Sequence, residues 1–291
     1  MAVTITNSAG VPTEYTAYSL KTALLALRNR SIFVPGGPGF SQDVMQIADV
    51  TGQGQGLTGS FGRYGALTAS EVAESAEYNA WQAFTPTTVL VTATKHQVGT
   101  IITKERMKKT VNPAQEWTLA GTELGRAMAT LVNKDVCSLF ASFTATSGGT
   151  TVDATWAGVR NGQGALRALG VAGELIFVLH EQSYGELLAE AGSPLITASM
   201  TRLAEGYYQN YYVDNIIGMR WYVTADVQPA TTVDWVGGMF NNEAIGMSWG
   251  QDFELEVEWN KNTQCWEILL TCYYGCGIAN QSCGQKHLTD Y

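Results

Sequence analysis

The chain lacks any apolar run approaching about 18 residues, so no membrane-spanning helix is expected. Charge is scarce. Only 15% of the 291 residues are Asp, Glu, Lys or Arg, and the balance is −9. An acidic chain of this kind is a poor candidate for binding nucleic acid by neutralising phosphates. The N-terminus has neither a basic segment nor an apolar one, so no secretory leader is expected. There are only three histidines, at 96, 180 and 287. His180 stands beside Glu181, Ser183 and Tyr184, but no Gly-x-Ser-x-Gly elbow marks a nucleophile, and the cluster reads as a polar strand end capping the next helix. No catalytic, cofactor-binding or metal-binding residue is expected. Close CxxC pairs are also missing. Four of the five cysteines cluster at Cys265, Cys272, Cys276 and Cys283, a spacing unlike common structural zinc sites. Buried thiols lead the readings, ahead of a disulfide or a metal site. Gly54-Gln-Gly-Leu-Thr-Gly59 is formally a GxGxxG, yet Phe61-Gly-Arg-Tyr-Gly65 follows it and opens no helix, so an extended loop is expected in place of a nucleotide site.

What is present suits burial and contact. With 45% hydrophobic residues the chain can bury a sizeable core, as one large domain or two modest ones. Its 8 Trp and 13 Tyr suit subunit interfaces, where an apolar ring and a polar tip are both used. Residues 1–40 hold only a short helical stretch, Ser19 to Arg30, with Leu20, Ala23, Leu24 and Leu27 on one stripe. Pro35-Gly-Gly-Pro-Gly39 then breaks any element. The β-branched run from Thr87 to Thr94 and the stretch from Lys95 to Thr103 read as strands. Asn112-Pro-Ala-Gln115 predicts an N-cap, a first-turn proline and a capping box opening a helix that runs until Ser147-Gly-Gly149. Between about 150 and 250 helices and strands alternate. One helix ends at Leu169 with Gly170 beyond it, a strand runs Leu175 to Leu179, and a second helix spans Glu181 to Ala191. Strands are expected around Tyr207 to Val213 and Met219 to Val223.

The C-terminal third is the most patterned. Phe253, Leu255, Val257 and Trp259 alternate with Glu254, Glu256 and Glu258, then Trp266, Ile268, Leu270, Cys272 and Tyr274 repeat the parity after a polar turn. The two runs predict a long hairpin, with the glutamates protecting an exposed edge. This order of parts, closing near Tyr273-Tyr-Gly275, resembles the end of tailed-bacteriophage major capsid proteins of the Hong Kong 97 type. Leu67-Thr-Ala-Ser-Glu71, Val98-Gly-Thr-Ile-Ile-Thr103, Leu124-Gly-Arg-Ala and Val178 to Gln182 are similar to other parts of that family's pattern.

The resemblance implies an α+β fold: an N-terminal arm at 1–40, an extended β-hairpin loop at 41–94, and a peripheral domain with a long spine helix at 95–148. An α/β axial domain at 149–250, a peripheral hairpin at 251–275 and a C-terminal segment at 276–291 would follow. It also implies self-assembly as hexamers and pentamers into an icosahedral head around double-stranded DNA, inside the virion, after assembly in a bacterial cytoplasm. Partners would be further copies, a separate scaffolding protein, a portal protein and a cement or decoration protein, with no sequence-specific hold on DNA. Encapsulin-type cellular compartments share the fold and form the alternative; a soluble α/β enzyme is a third. Glu71, Glu74 and Glu77 are expected to meet Lys104, Arg106, Lys108 and Lys109 between subunits, and the turn at Asn260, Lys261 and Asn262 to project toward a symmetry axis. No lysine lies between Lys21 and Lys95, so isopeptide cross-linking from the extended hairpin is not expected.

Overall fold

The computed structural model describes residues 5–7, 19–26, 45–50, 57–64, 67, 69, 71–72, 79, 81–83, 85–149, 152–190, 212–216, 218–229 and 234–290. Two sheets carry the architecture. In the first, β11 (Ile245–Asn260) and β12 (Cys265–Ile278) form an antiparallel hairpin, with Val257 opposite Ile268 and Trp259 opposite Trp266. β5 (Thr94–Thr103) adds antiparallel to β12. On the far side of β11, β1 (Ile5–Asn7) and β2 (Gln46–Asp49) both pair parallel, one against Leu255–Val257 and the other against Gly246–Trp249. The expected alternation is therefore present: Phe253, Leu255 and Val257 are buried while Glu256 and Glu258 are exposed. Over 255–257, however, β11 is flanked on both sides. The glutamates line an open sheet face there and protect no edge.

Across the buried face lies α3 (Pro113–Ser138), 26 residues and so roughly 39 Å long. Trp117, Leu124, Met128, Val132 and Val136 recur at helical spacing and are all buried. Asn112 is the N-cap and Pro113 opens the helix, but no side-chain cap bond forms; the Gln115 N–H meets the Asn112 backbone carbonyl. The helix also stops earlier than the sequence suggests. Phe140 lies in a 3₁₀ turn (Leu139–Ser142), with Phe143 just beyond. Their rings sit where a side chain on Gly238 or Gly284 would be, which pins the end of the helix to the second sheet. Ser147 and Gly148 belong to a strand, β6 (Thr146–Gly148).

The second sheet runs β6, β13, β10, β7, β9, β8. Its members are β7 (Leu175–Leu179), β8 (Tyr212–Ile216), β9 (Met219–Val223), β10 (Asp234–Phe240) and β13 (Gly284–Asp290). It thus draws on β6 and β13, which lie on either side of the 149–250 span. β7 is buried at every residue, as a central strand with both faces covered should be. α4 (Trp156–Ala168) ends in a Schellman motif: Val171 N–H bonds Leu166 O, Gly170 N–H bonds Arg167 O, and Gly170 takes φ +79. α5 (Glu181–Glu190) caps the start of α4, with Glu186 accepting from Ala154 N–H and Glu190 from Trp156 N–H. One continuous hydrophobic core joins both sheets through α3.

Within residues 1–40, the described stretches 5–7 and 19–26 pack on this body. A helix over residues 19–26, α1, lies on α3 with Leu20 and Ala23 buried. A Cβ on Gly121 would fall 2.2 Å from Ser19 O, and one on Gly125 would fall 2.1 Å from Ala23 O. Only glycine permits so close a crossing. Ser19 Oγ donates to Trp117 O at 2.9 Å and Thr22 Oγ1 to Thr118 O at 3.2 Å. Two glycines on α3 make room for this backbone contact over residues 19–26.

Candidate functional site

Among the described residues, no group of three or more His, Cys, Asp or Glu side chains is placed to hold a metal ion. His180 stacks flat on Trp235 with ring centroids 3.5 Å apart and accepts the Gln182 N–H at 3.2 Å. Burial lowers its pKa. The Ser183 hydroxyl pairs with Thr289 Oγ1 at 2.6 Å, so no nucleophile–base pair forms. His287 is buried, bonds Ser147 Oγ through Nδ1 at 2.9 Å, and stands edge-on to Phe177; burial pushes its pKa down to about 4. All five cysteines are free, four of them buried. Burial raises Cys272 and Cys276 to about 12, which leaves them as thiols. Of the GxGxxG, only Leu57 to Gly59 fall within the described residues, and they lead into a strand, not a helix. Among the described residues no helix is long and apolar enough to cross a membrane.

The described surface carries exposed apolar and charged side chains. The hairpin β3 (Thr58–Tyr64) and β4 (Pro86–Thr92) lies against the first sheet, where glycines replace side chains. The ring of Phe61 occupies the place of a Gly246 side chain, and a Cβ on Gly275 would fall 2.2 Å from Thr92 O. Phe61 and Val91 are buried by this seat, while Leu90 is 67% and Trp81 83% exposed. Phe61 and Val91 seat the hairpin, while Leu90 on its other face and Trp81 beyond it are open to solvent.

The charged residues singled out in the sequence are only partly brought together. Glu71 is exposed; Glu74 and Glu77 lie outside the described residues. Lys104, Arg106, Lys108 and Lys109 all sit on one six-residue helix, α2 (Lys104–Lys109), and all are exposed. Arg106 pairs with Glu116 of α3 at 2.7 Å and Lys109 with Glu105 at 3.9 Å. Asn260 accepts the N–H groups of Asn262 and Thr263 at 3.0 and 3.4 Å, giving the tip its turn, with Lys261 and Asn262 exposed. Asn260 also donates to Glu267 at 2.7 Å. Sequence reasoning missed the glycine seats. Gly121 and Gly125 are spaced four apart on one helix face, the signal of close helix crossing. Arg63 was missed as well; it reaches across to Asn280 Oδ1, and no local pattern marks that contact.

A family model described as "Phage capsid protein" matches residues 85–281. Solved structures with the same fold include the capsid of Ralstonia phage GP4, at TM-score 0.68 and 10% identity, covering 91% of this chain and 90% of that one. A Mycobacterium phage Che8 structure matches at TM-score 0.62 and 16% identity, covering 80% and 85%. The virus-like particle from Pyrococcus furiosus matches at 0.60 and 12%, covering 95% and 99%. No curated protein matches the sequence.

Proposed function

Because the chain belongs to the phage capsid protein family, we propose that it is the major capsid protein of a tailed phage, assembling as hexamers and pentamers into an icosahedral head around double-stranded DNA. A capsid shell protein works by contact between copies, and the observation that carries the finer reading is the division of labour in the fold. A long buried helix and a deep hairpin sheet make a stiff body, while a hairpin seated by Phe61 and Val91 presents exposed Leu90, and the chain beyond it exposed Trp81, to a neighbour. The net charge of −9 suits a container whose wall must not adhere to packed DNA.

Assembly in a bacterial cytoplasm with a scaffolding protein and a portal, and a mature place in the virion with or without a cement protein, belong to the same proposal. Between subunits, Glu71, Glu74 and Glu77 meet the α2 cluster. Lys104 and Lys108 lead that contact, since Arg106 and Lys109 already have acidic neighbours. The polar tip at Asn260, Lys261 and Asn262 packs by hydrogen bonds near a symmetry axis. One observation favours a second reading, an encapsulin-type compartment: the similarity to the virus-like particle spans 99% of that chain. Size-exclusion chromatography and negative-stain microscopy of the purified protein test both. Closed shells support the proposal; a small oligomer refutes either shell reading and favours a soluble enzyme. A protein cargo in place of DNA in native particles would select the compartment.

A further inference from the structure

Two short crossovers carry the chain between the sheets, 241–244 from β10 into β11 and 279–283 from β12 into β13. They are bonded to each other, Asn241 N–H to Cys283 O at 3.1 Å and Ala279 N–H to Ala244 O at 2.8 Å. A cleft of about 560 Å³ opens where they meet the β3–β4 hairpin and the turn after α4. A hydrogen-bond chain runs along its wall. Arg63 donates to Asn280 Oδ1, the same oxygen that accepts the Ser282 N–H at 3.1 Å and so shapes the turn. Asn280 Nδ2 donates to Cys283 Sγ at 2.9 Å, and that thiol faces Glu243 Oε2 at 3.7 Å. The Glu243 N–H meets Asn241 Oδ1 at 2.9 Å, and Asn241 Nδ2 reaches Ala172 O at 3.5 Å.

We propose that Arg63 is a positioning residue that couples the pose of the extended hairpin to the geometry of both inter-sheet crossovers, so that hairpin and crossovers shift together. The geometry gives the reason. Phe61 and Arg63 share one face of β3, two residues or roughly 6.6 Å apart. Phe61 is seated on Gly246 of the first sheet, whereas Arg63 holds the turn that leads into the second. A change in the angle between the sheets must therefore strain either the seat or the clamp. Releasing the clamp leaves the Cys283 thiol and the Glu243 carboxylate without the nearby guanidinium, whose charge opposes the rise that burial and Glu243 impose on the thiol pKa. Coupling of this kind requires a second, released arrangement beside the clamped one.

The inference concerns the single subunit and stands apart from the shell reading. Hydrogen exchange of the full chain, in whichever assembly state wild type and variants share, tests it by mass spectrometry. Arg63→Ala should raise exchange about three- to tenfold not only at 279–283, which Arg63 touches, but also at 241–244, which it does not. Arg63→Lys should restore part of that protection. Coupling is reciprocal, so Asn280→Ala should raise exchange across Thr58–Tyr64 and Pro86–Thr92 by a similar factor. A rise confined to 279–283 in Arg63→Ala, or an unchanged hairpin in Asn280→Ala, overturns the proposal.

Discussion

Alanine at position 125 is expected to destabilise the subunit even though alanine is the better helix former. Helix preference alone would favour Gly125→Ala by about 1 kcal/mol. Against this, the new Cβ would sit 2.1 Å from Ala23 O, where ordinary contact begins near 3.4 Å. α1 must retreat by more than roughly 1 Å, which no flexible side chain can absorb because both crowded partners are backbone. Retreat uncovers Leu20, now 6% exposed, and breaks the Ser19 and Thr22 bonds to α3. Leucine burial contributes about 2 kcal/mol and each bond about 1 kcal/mol, while the freed backbone of α1 returns part of the sum. With the helix preference also set against it, a net loss of ~2 kcal/mol is expected in urea unfolding of the subunit. Gly164→Ala supplies the control, since nothing lies within 4 Å of its Cβ on the exposed side of α4. That variant should gain about 0.5–1 kcal/mol. If the two alanines shift the midpoint alike, α1 is not seated on Gly125 and the reasoning fails.

Acid should weaken the fold through His287. Its folded pKa of about 4 lies below the 6.5 of an exposed imidazole, so its contribution is complete above pH 6.5 and falls as pH drops toward 4. The loss is roughly 3 kcal/mol, and His287→Gln should flatten the slope of stability in that window; an unchanged slope would count against it. Gly275→Ala would drive a Cβ into Thr92 O, and is expected to unseat the extended hairpin and block shell formation while the spectra of the folded subunit persist. Normal shells from it would show that the seat is dispensable. Reversing Glu71, Glu74 and Glu77 to lysine should raise the concentration needed for assembly, and reversing Lys104 and Lys108 as well should restore part of it. Exposed pairs contribute only about 0.2–1 kcal/mol each, so the effect depends on repetition around the shell. Boiling particles in detergent with reductant should release one band near 31.4 kDa, because no lysine lies between Lys21 and Lys95 to cross-link the extended hairpin; a ladder that persists would reveal a covalent network.

The parts legible in the sequence are those where one physical signal dominates. Leu175–Leu179 is a five-residue apolar run closed by polar residues, Met219–Val223 is apolar apart from Arg220, and Gly170 ends α4 as its spacing indicates. The hairpin of β11 and β12 follows from parity, and its pairing of Trp259 with Trp266 needs no long-range information. β13 was not legible, because Gln285, His287 and Thr289 look solvent-exposed. They are buried, with His287 and Thr289 bonded to Ser147 and Ser183 from distant segments. β10 was hidden by Gly237 and Gly238, which read as loop until Val178 and Phe140 are seen to occupy the space beside them. The glycine seats escaped for a related reason: a close approach is a property of two segments, and sequence shows each alone. The helix stripe extended too far for the opposite reason, since Phe140 and Phe143 keep helical spacing while the backbone has already tightened into a 3₁₀ turn.

Cryo-electron microscopy of particles formed by the purified chain tests the central claim most directly. Closed icosahedral shells of pentamers and hexamers are expected, each copy with α3 spanning its sheet and the β3–β4 hairpin laid on a neighbour. A discrete small oligomer with that hairpin facing only solvent would contradict it.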